Sequence, residues 1–261
     1  MTSPSRVFAV VSLFSEDRPV WHTDDINVAL DYKRATGYRY VKELVEAGFL
    51  QKVAAGRYAL GMRFIELDYL LRRTDVVLLA AAPVMEELTR KTRLDGVLTA
   101  MFGMKVIDTY RASVDPTLEL GYGRGRPRPL FQGAAPKVIL SCLPRPQLVR
   151  IYEAHAEEIA SRGLGADWTA FRTSLAEIRR AGFYLSHGEL EPAVGGAAVP
   201  IVNAEGDVLA ALALVGKNKD LRAFGAEPLQ RLLEGAAKRI QADVTRRQRR
   251  SRPSAARGRA A

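Results

Sequence analysis

Between Asp31 and Lys42 the chain reads DYKRATGYRYVK, with four cations against one acid and three tyrosines among them. Lys33, Arg34, Thr36, Tyr38 and Arg39 are the residue types that reach base edges and phosphates from the N-terminal end of a helix. An Arg there can bond a guanine bidentately, which discriminates by about 1–3 kcal/mol. Arg57, just after Gly56, is a candidate phosphate contact. A solvated helix or hairpin face uses the same residues, so charge alone leaves both readings open. GYGRGRPRP at Gly121–Pro129 adds Arg124, Arg126 and Arg128. No GK[ST] follows, so it is not a P-loop; it reads as a surface loop, or as a rim meeting an anionic ligand. Enzyme chemistry finds little material: the chain has no G-x-S-x-G and no H-E-x-x-H. His187 beside Glu189 and Glu191 reads as a polar loop rim or as an acid–base pair. His155 is expected on an exposed helix face and Cys142 in core. Three His and one Cys exclude a zinc finger and an internal disulfide framework. No catalytic residue, metal or cofactor is assigned.

The cationic cluster needs elements to hold it. Apolar spacing predicts a helix over Arg6–Phe14, broken by Glu16-Asp17-Arg18-Pro19. Thr23 is expected to cap a short second helix that ends near Leu30. A third runs from about Arg34 to Ala47, with Tyr38, Val41, Leu44 and Val45 inward, and stops at Gly48. Strands near Leu50–Val53 and Arg57–Leu60 flank Ala54-Ala55-Gly56 as a hairpin. Three helices and a hairpin describe a winged helix-turn-helix, whose third helix enters the major groove. Residues 61–93 read as helical, with stripes at Phe64, Ile65, Leu67, Leu70, Leu71 and at Val84, Met85, Leu88; Pro83 is placed near a helix start. Strands follow at Val97–Phe102 and Lys105–Tyr110, and helices at 133–143, 146–160 and 167–181. Further strands are read at Phe183–Ser186, Ala197–Ile201 and Val208–Val215, and a last helix at Ala223–Thr245. This second part is α+β with a mainly antiparallel sheet. The plan is a DNA-binding domain at 1–60, a linker helix at 61–75, a second, α+β domain at 76–245 and a disordered tail at 246–261.

The 261 residues carry a net charge of +10, but seven of those charges are Arg246, Arg247, Arg249, Arg250, Arg252, Arg257 and Arg259 in a stretch with no acid. The body is therefore near +3, and overall basicity says little about DNA. The tail reads as a solvated terminus or as a phosphate-binding arm. No stretch approaches the ~20 apolar residues of a membrane span. Ser12 and Ser15 interrupt the apolar N-terminus and Glu16 and Asp17 follow it, which makes a poor signal peptide. A cytoplasmic protein without a membrane partner is expected.

In order and motif the chain resembles the IclR family of bacterial transcriptional regulators over roughly residues 6–245. The likeness rests on four pieces: Thr36-x-x-Arg39 leading to Glu46-Ala47-Gly48-Phe49-Leu50; Gly56-Arg57-Tyr58-Ala59-Leu60-Gly61; Pro129-Leu130 through Leu143-Pro144; and Glu189-Leu190-Glu191-Pro192 before Ala198-Val199-Pro200. Lys33 stands where the family usually opens its recognition helix with Pro, and Phe131-Gln132-Gly133-Ala134-Ala135-Pro136-Lys137-Val138 replaces a segment like H-A-T-A-L-G-K-A. The resemblance implies a GAF-like effector domain, a palindromic DNA operator, a small organic effector and a homodimer or dimer of dimers (a homotetramer). By motif, Ser186 replaces the family's usual acid, Gly196 its Cys, Ala213 and Val215 its two Ser, and Phe131 its His. Leu120, Ala134 and Ala135 would line the same space. A pocket so stripped of polar anchors suits an aromatic or apolar effector, and the expected role is control of such a compound's catabolism. Two alternatives stay open: an enzyme on the GAF-like domain with an accessory DNA-binding head, and an architectural DNA-binding protein with no effector.

Overall fold

The computed structural model describes residues 3–114 and 123–251. The chain divides into two compact units, residues 1–74 and 75–261.

The first unit contains α1 (Ser3–Val11), β1 (Trp21–His22), α2 (Thr23–Leu30), α3 (Arg34–Glu46), β2 (Leu50–Ala54), β3 (Arg57–Leu60) and α4 (Arg63–Thr74). The strands form an antiparallel sheet in the order β1-β3-β2. The core is built from Val10, Trp21, Ile26, Tyr32, Tyr40, Val41, Leu44 and Leu50. Three expectations change here. The inward tyrosine of α3 is Tyr40, packed edge-on to Tyr32 at 5.7 Å, and Tyr38 faces outward; residues two apart cannot share a helix face. Thr23 does not cap α2 but is its buried first residue; His22 caps it, with Nδ1 accepting the Asp24 N–H at 3.2 Å. Trp21 and His22 also pair with Tyr58 and Arg57 as a third strand, too short to show an alternation in sequence.

The second unit runs α5 (Val76–Thr92), β4 (Asp95–Phe102), β5 (Lys105–Ala112), β6 (Pro127–Arg128), α6 (Ala134–Cys142), α7 (Arg145–Ser161), α8 (Trp168–Ala181), β7 (Tyr184–His187), β8 (Val194–Val202), β9 (Val208–Lys217), α9 (Asn218–Phe224) and α10 (Ala226–Ser251). Its antiparallel sheet has the order β6-β5-β4-β9-β8-β7. Alternation along the buried strands builds two cores. On β9, Ala210, Leu212 and Leu214 join the cluster formed with α5 and α10, while Ala211, Ala213 and Val215 join the one formed with α6, α7 and α8. Helices on both faces of a mainly antiparallel sheet give the GAF-like α+β architecture.

Pro83 lies inside α5, on its exposed side; the helix start is set by Asp75, whose Oδ1 accepts the Val77 and Leu78 N–H groups at 2.9 and 3.1 Å. The last helix is two, parted at Gly225 with φ +78°. α10 continues through Ser251, so Arg246, Arg247, Arg249 and Arg250 are helical rather than disordered. Asp243 anchors Arg246 at 2.7 Å and Arg247 at 3.0 Å, and those guanidiniums hold its carboxyl below its usual range. Leu120 and residues 252–261 lie outside the described residues. Among the described residues no helix is long and apolar enough to cross a membrane, and no cluster has a metal's ligand set.

Candidate functional site

Lys33, Arg34 and Arg39 are exposed at the start of α3, Thr36 is half-buried and Tyr38 stands outward between them. The Tyr38 hydroxyl donates to Asp24 Oδ1 on α2 at 3.2 Å, and the Arg34 guanidinium lies 5.5 Å from the Tyr38 ring centroid. Tyr38 first, then Asp24, raise the Arg34 pKa further, so its charge is permanent. Arg39 lies 3.8 Å from Glu43 one turn on, an exposed pair that a phosphate can outcompete. Behind this face Gly37 presses on Asn27 of α2, which fixes how α3 is presented. Arg57 is exposed on β3, next to the left-handed Gly56 at φ +66°. The structure thus places all six residues on α3 and the wing of one unit, as a groove-entering helix and a backbone-contacting hairpin require.

The second candidate is a cavity of about 30 Å³ between the start of α6, the strand pair β8–β9 and the segment after β7. Its walls include Ala134, Ala135, Ser186, Gly196, Ala213 and Val215, six of the eight residues that the family resemblance grouped together. A Cβ on Gly196 would sit in ordinary contact with Val215 Cγ2 at 3.6 Å and Leu214 O at 3.7 Å, so the bare backbone leaves the volume of a side chain open. Ser186 Oγ donates to Gly196 O at 3.2 Å. Phe131 is not part of the wall. It is fully buried, 6.5 Å from Phe171 and 5.5 Å from His155 by ring centroid, because it precedes α6 on the core side.

Three polar residues stand here that the motifs did not group with the cavity. Arg128, read as part of a surface loop or of a rim meeting an anionic ligand, is on β6 and lines the cavity with its guanidinium against Asp108. Glu189 lies under the cover of the cavity: its carboxylate accepts the Gly133 N–H at 2.8 Å, pairs with Lys137 Nζ at 2.7 Å and accepts the Tyr184 hydroxyl at 3.2 Å. Lys137 was read only as part of a motif, yet its side chain is 6% exposed, and a cation so buried needs its carboxylate partner. The Leu190 side chain closes the space beside Gly133. An acid–base pair at His187 does not form: His187 is exposed and its Nδ1 lies 3.1 Å from Asn218 Oδ1. His155 is half-buried, 3.4 Å from Glu158.

A cation-rich recognition helix beside a wing defines a DNA-binding protein of the helix-turn-helix type. Residues 69–242 match the family model of the bacterial transcriptional regulator IclR C-terminal domain. The chain is 34% identical over 184 residues to the HTH-type transcriptional regulator KipR of Bacillus subtilis, covering 69% of this chain and 72% of that one. It is 24% identical to KdgR of Escherichia coli over 94% of this chain and 93% of the relative. Among solved structures, an IclR homolog from Microbacterium hydrocarbonoxydans complexed with 4-hydroxybenzoate is 26% identical. It superposes with a TM-score of 0.70 over 94% of this chain and 100% of the other. The chain belongs to the IclR family of bacterial transcriptional regulators.

Proposed function

We propose that this regulator responds to a small aromatic or otherwise apolar organic compound bound in the cavity of its second unit, and that it controls that compound's catabolism. In this reading Lys33, Arg34, Thr36, Tyr38, Arg39 and Arg57 contact a palindromic operator, and the protein pairs as a dimer or dimer of dimers to span two half-sites. The observation that carries the effector class is the wall itself: apart from Arg128, Ser186 and Glu189 it is Gly, Ala, Val and Leu, and Ala134, Ala135, Gly196, Ala213 and Val215 offer no side-chain hydrogen bond to a densely polar metabolite. Each polar group of such a ligand left unpaired on burial would cost about 1–3 kcal/mol. The structural neighbour with 4-hydroxybenzoate bound supports the same class. The present space of about 30 Å³ is nearer to one water than to a ring, and an apolar cavity of about 150 Å³ is what holds benzene. Binding therefore requires Glu189–Ala193 to swing outward and take Leu190 with it.

Calorimetry on the full chain tests this with aromatic compounds on one side and glyoxylate and small aliphatic dicarboxylates on the other. Aromatic binding without turnover is the expected result. Binding of the aliphatic acids alone would refute the effector class, and conversion of a bound compound to product would favour an enzyme. For the reading head, Arg34→Ala and Arg39→Ala should weaken selected sites more than random DNA, whereas Arg57→Ala should weaken both about equally.

A further inference from the structure

Two acids, Asp24 and Asp25, stand in the first turn of α2, on the unit that also exposes Arg34, Arg39 and Arg57. Acids favour a helix N-terminus, but beside DNA they repel phosphates. Asp25 is engaged by Arg18, whose Nη2 lies 2.5 Å from its Oδ2. Asp24 is turned to α3 instead. Its N–H donates to His22 Nδ1 at 3.2 Å, and its Oδ2 lies 3.7 Å from the same nitrogen, so the residue is pinned where α2 starts. Its Oδ1 accepts the Tyr38 hydroxyl proton at 3.2 Å. His22 is the register partner of Arg57 on β3, and the neighbouring Thr23 N–H donates to Gly56 O at 3.1 Å. Asp24 is thereby tied to the wing as well as to the third helix.

The bond to Asp24 decides what Tyr38 offers. A phenol has one proton to donate and lone pairs that accept. With the proton on Oδ1, the hydroxyl can meet DNA only as an acceptor. Phosphate oxygens, guanine N7 and O6 and thymine O4 are acceptors too, so none of them matches it. The major-groove groups that donate are the amino groups of cytosine N4 and adenine N6. Arg34 stands one turn earlier on the same face, its guanidinium 5.5 Å from the Tyr38 ring centroid, and it presents donors alone. The pair thus offers donors beside an acceptor. A G·C pair shows the matching row, two acceptors on guanine and an amino donor on cytosine.

We propose that Asp24 is a specificity-determining residue that does not itself touch DNA. By taking the Tyr38 proton it makes Tyr38 read an amino group, so that Arg34 and Tyr38 together select a G·C pair at one step of the operator. This deepens the reading of α3 given above and rests on it. Asp24 is a positioning residue: its charge lowers affinity for every sequence, and its bond to Tyr38 raises discrimination at one step.

The test selects sites from a random pool with the full-length wild type. The best site, its single-base variants and random DNA are then titrated by fluorescence anisotropy with each protein variant. Arg34→Ala locates the step that Arg34 reads. Asp24→Ala should relax the preference at that step by about three- to tenfold, the scale of one hydrogen bond. It should also bind random DNA about threefold more tightly, since one charge that repels phosphates is gone. Tyr38→Phe should relax the same step, and adding Asp24→Ala to it should relax that step no further. Asp24→Asn keeps an acceptor without the charge, so it should restore the discrimination and retain the gain on random DNA. Tyr38→Phe leaves α2 untouched and carries the test if Asp24→Ala folds poorly. An A·T pair at the step located by Arg34→Ala, or an unchanged preference there in Asp24→Ala or in Tyr38→Phe, would overturn the role of Asp24 while leaving α3 as the reading helix. Unchanged preference at every step in Arg34→Ala as well would overturn the reading of α3 with it.

Discussion

At Gly37 there is room for a hydrogen and nothing larger. A Cβ would stand 1.6 Å from Asn27 Oδ1, and that amide is buried with neither its oxygen nor its nitrogen hydrogen-bonded. Gly37→Ala gains helix propensity of up to ~1 kcal/mol but forces α2 and α3 apart, and overpacking of this kind costs about 1–3 kcal/mol. A lowered Tm with weakened DNA binding is expected, and Asn27→Ala in the same chain should recover most of both. An unchanged Tm in the single variant would show that the two helices adjust freely. Cys142 gives a second residue-scale outcome. Burial, its main cause, pushes the thiol pKa up, against smaller opposing effects of Ser141 and Arg179. The folded state therefore favours the thiol, and stability falls as pH rises through the unfolded-state value. Alkylation by iodoacetamide at pH 7.5 should be at least about tenfold slower in the native protein than in urea; equal rates would mark an exposed, reactive thiol. Ser186, Gly196, Ala213 and Val215 could be grouped from sequence because the family resemblance aligns them motif by motif. Arg128 and Glu189 could not, since their placement depends on Asp108 and Lys137, partners 20 and 52 residues away in sequence, and no local periodicity encodes such pairings.

Among the elements, α4 carries an apolar surface that its own unit leaves open. Phe64 is spent on Phe49, at 5.3 Å by ring centroid, and Leu67 is half-buried, so the stripe expected at Phe64, Leu67, Leu70 and Leu71 only partly faces solvent. Met62, Ile65, Tyr69, Leu70 and Leu71 are the exposed members. Such a patch on a helix suits a second copy. Light scattering should give a dimer or larger species, and Ile65→Asp with Leu71→Asp should shift it toward monomer. A wild-type monomer at micromolar concentration would exclude this pairing surface. α10 was legible as an amphipathic helix only as far as its apolar residues ran. Val244 is its last member of the core, and the extension to Ser251 rests on arginines, two of them paired with Asp243, which no hydrophobic pattern reports. Truncation after Thr245 removes seven Arg and, among the described residues, no member of the core. If these arginines meet phosphates, the salt slope of DNA binding becomes shallower by about 0.9 per lost contact, with base preference unchanged. Identical slopes for the two chains would show that this end makes no phosphate contact.

For the whole molecule, fold and family follow from the order of elements: three helices and a wing, then a six-stranded antiparallel sheet with helices on both faces. What order cannot supply is the response, because a ligand shifts an equilibrium only through different affinity for its two states. Here that difference would come from the cover over the cavity, which is closed by Leu190 and tied down through Glu189. The most direct measurement selects DNA sites from a random pool with the full-length protein and titrates the best site by fluorescence anisotropy, with and without saturating benzoate. The result expected is a specific site whose affinity changes by about 5–150-fold when the ligand is bound, with the benzoate recovered intact. A bound ligand that leaves DNA affinity unchanged, or that is recovered as a product, would contradict an effector-responsive regulator.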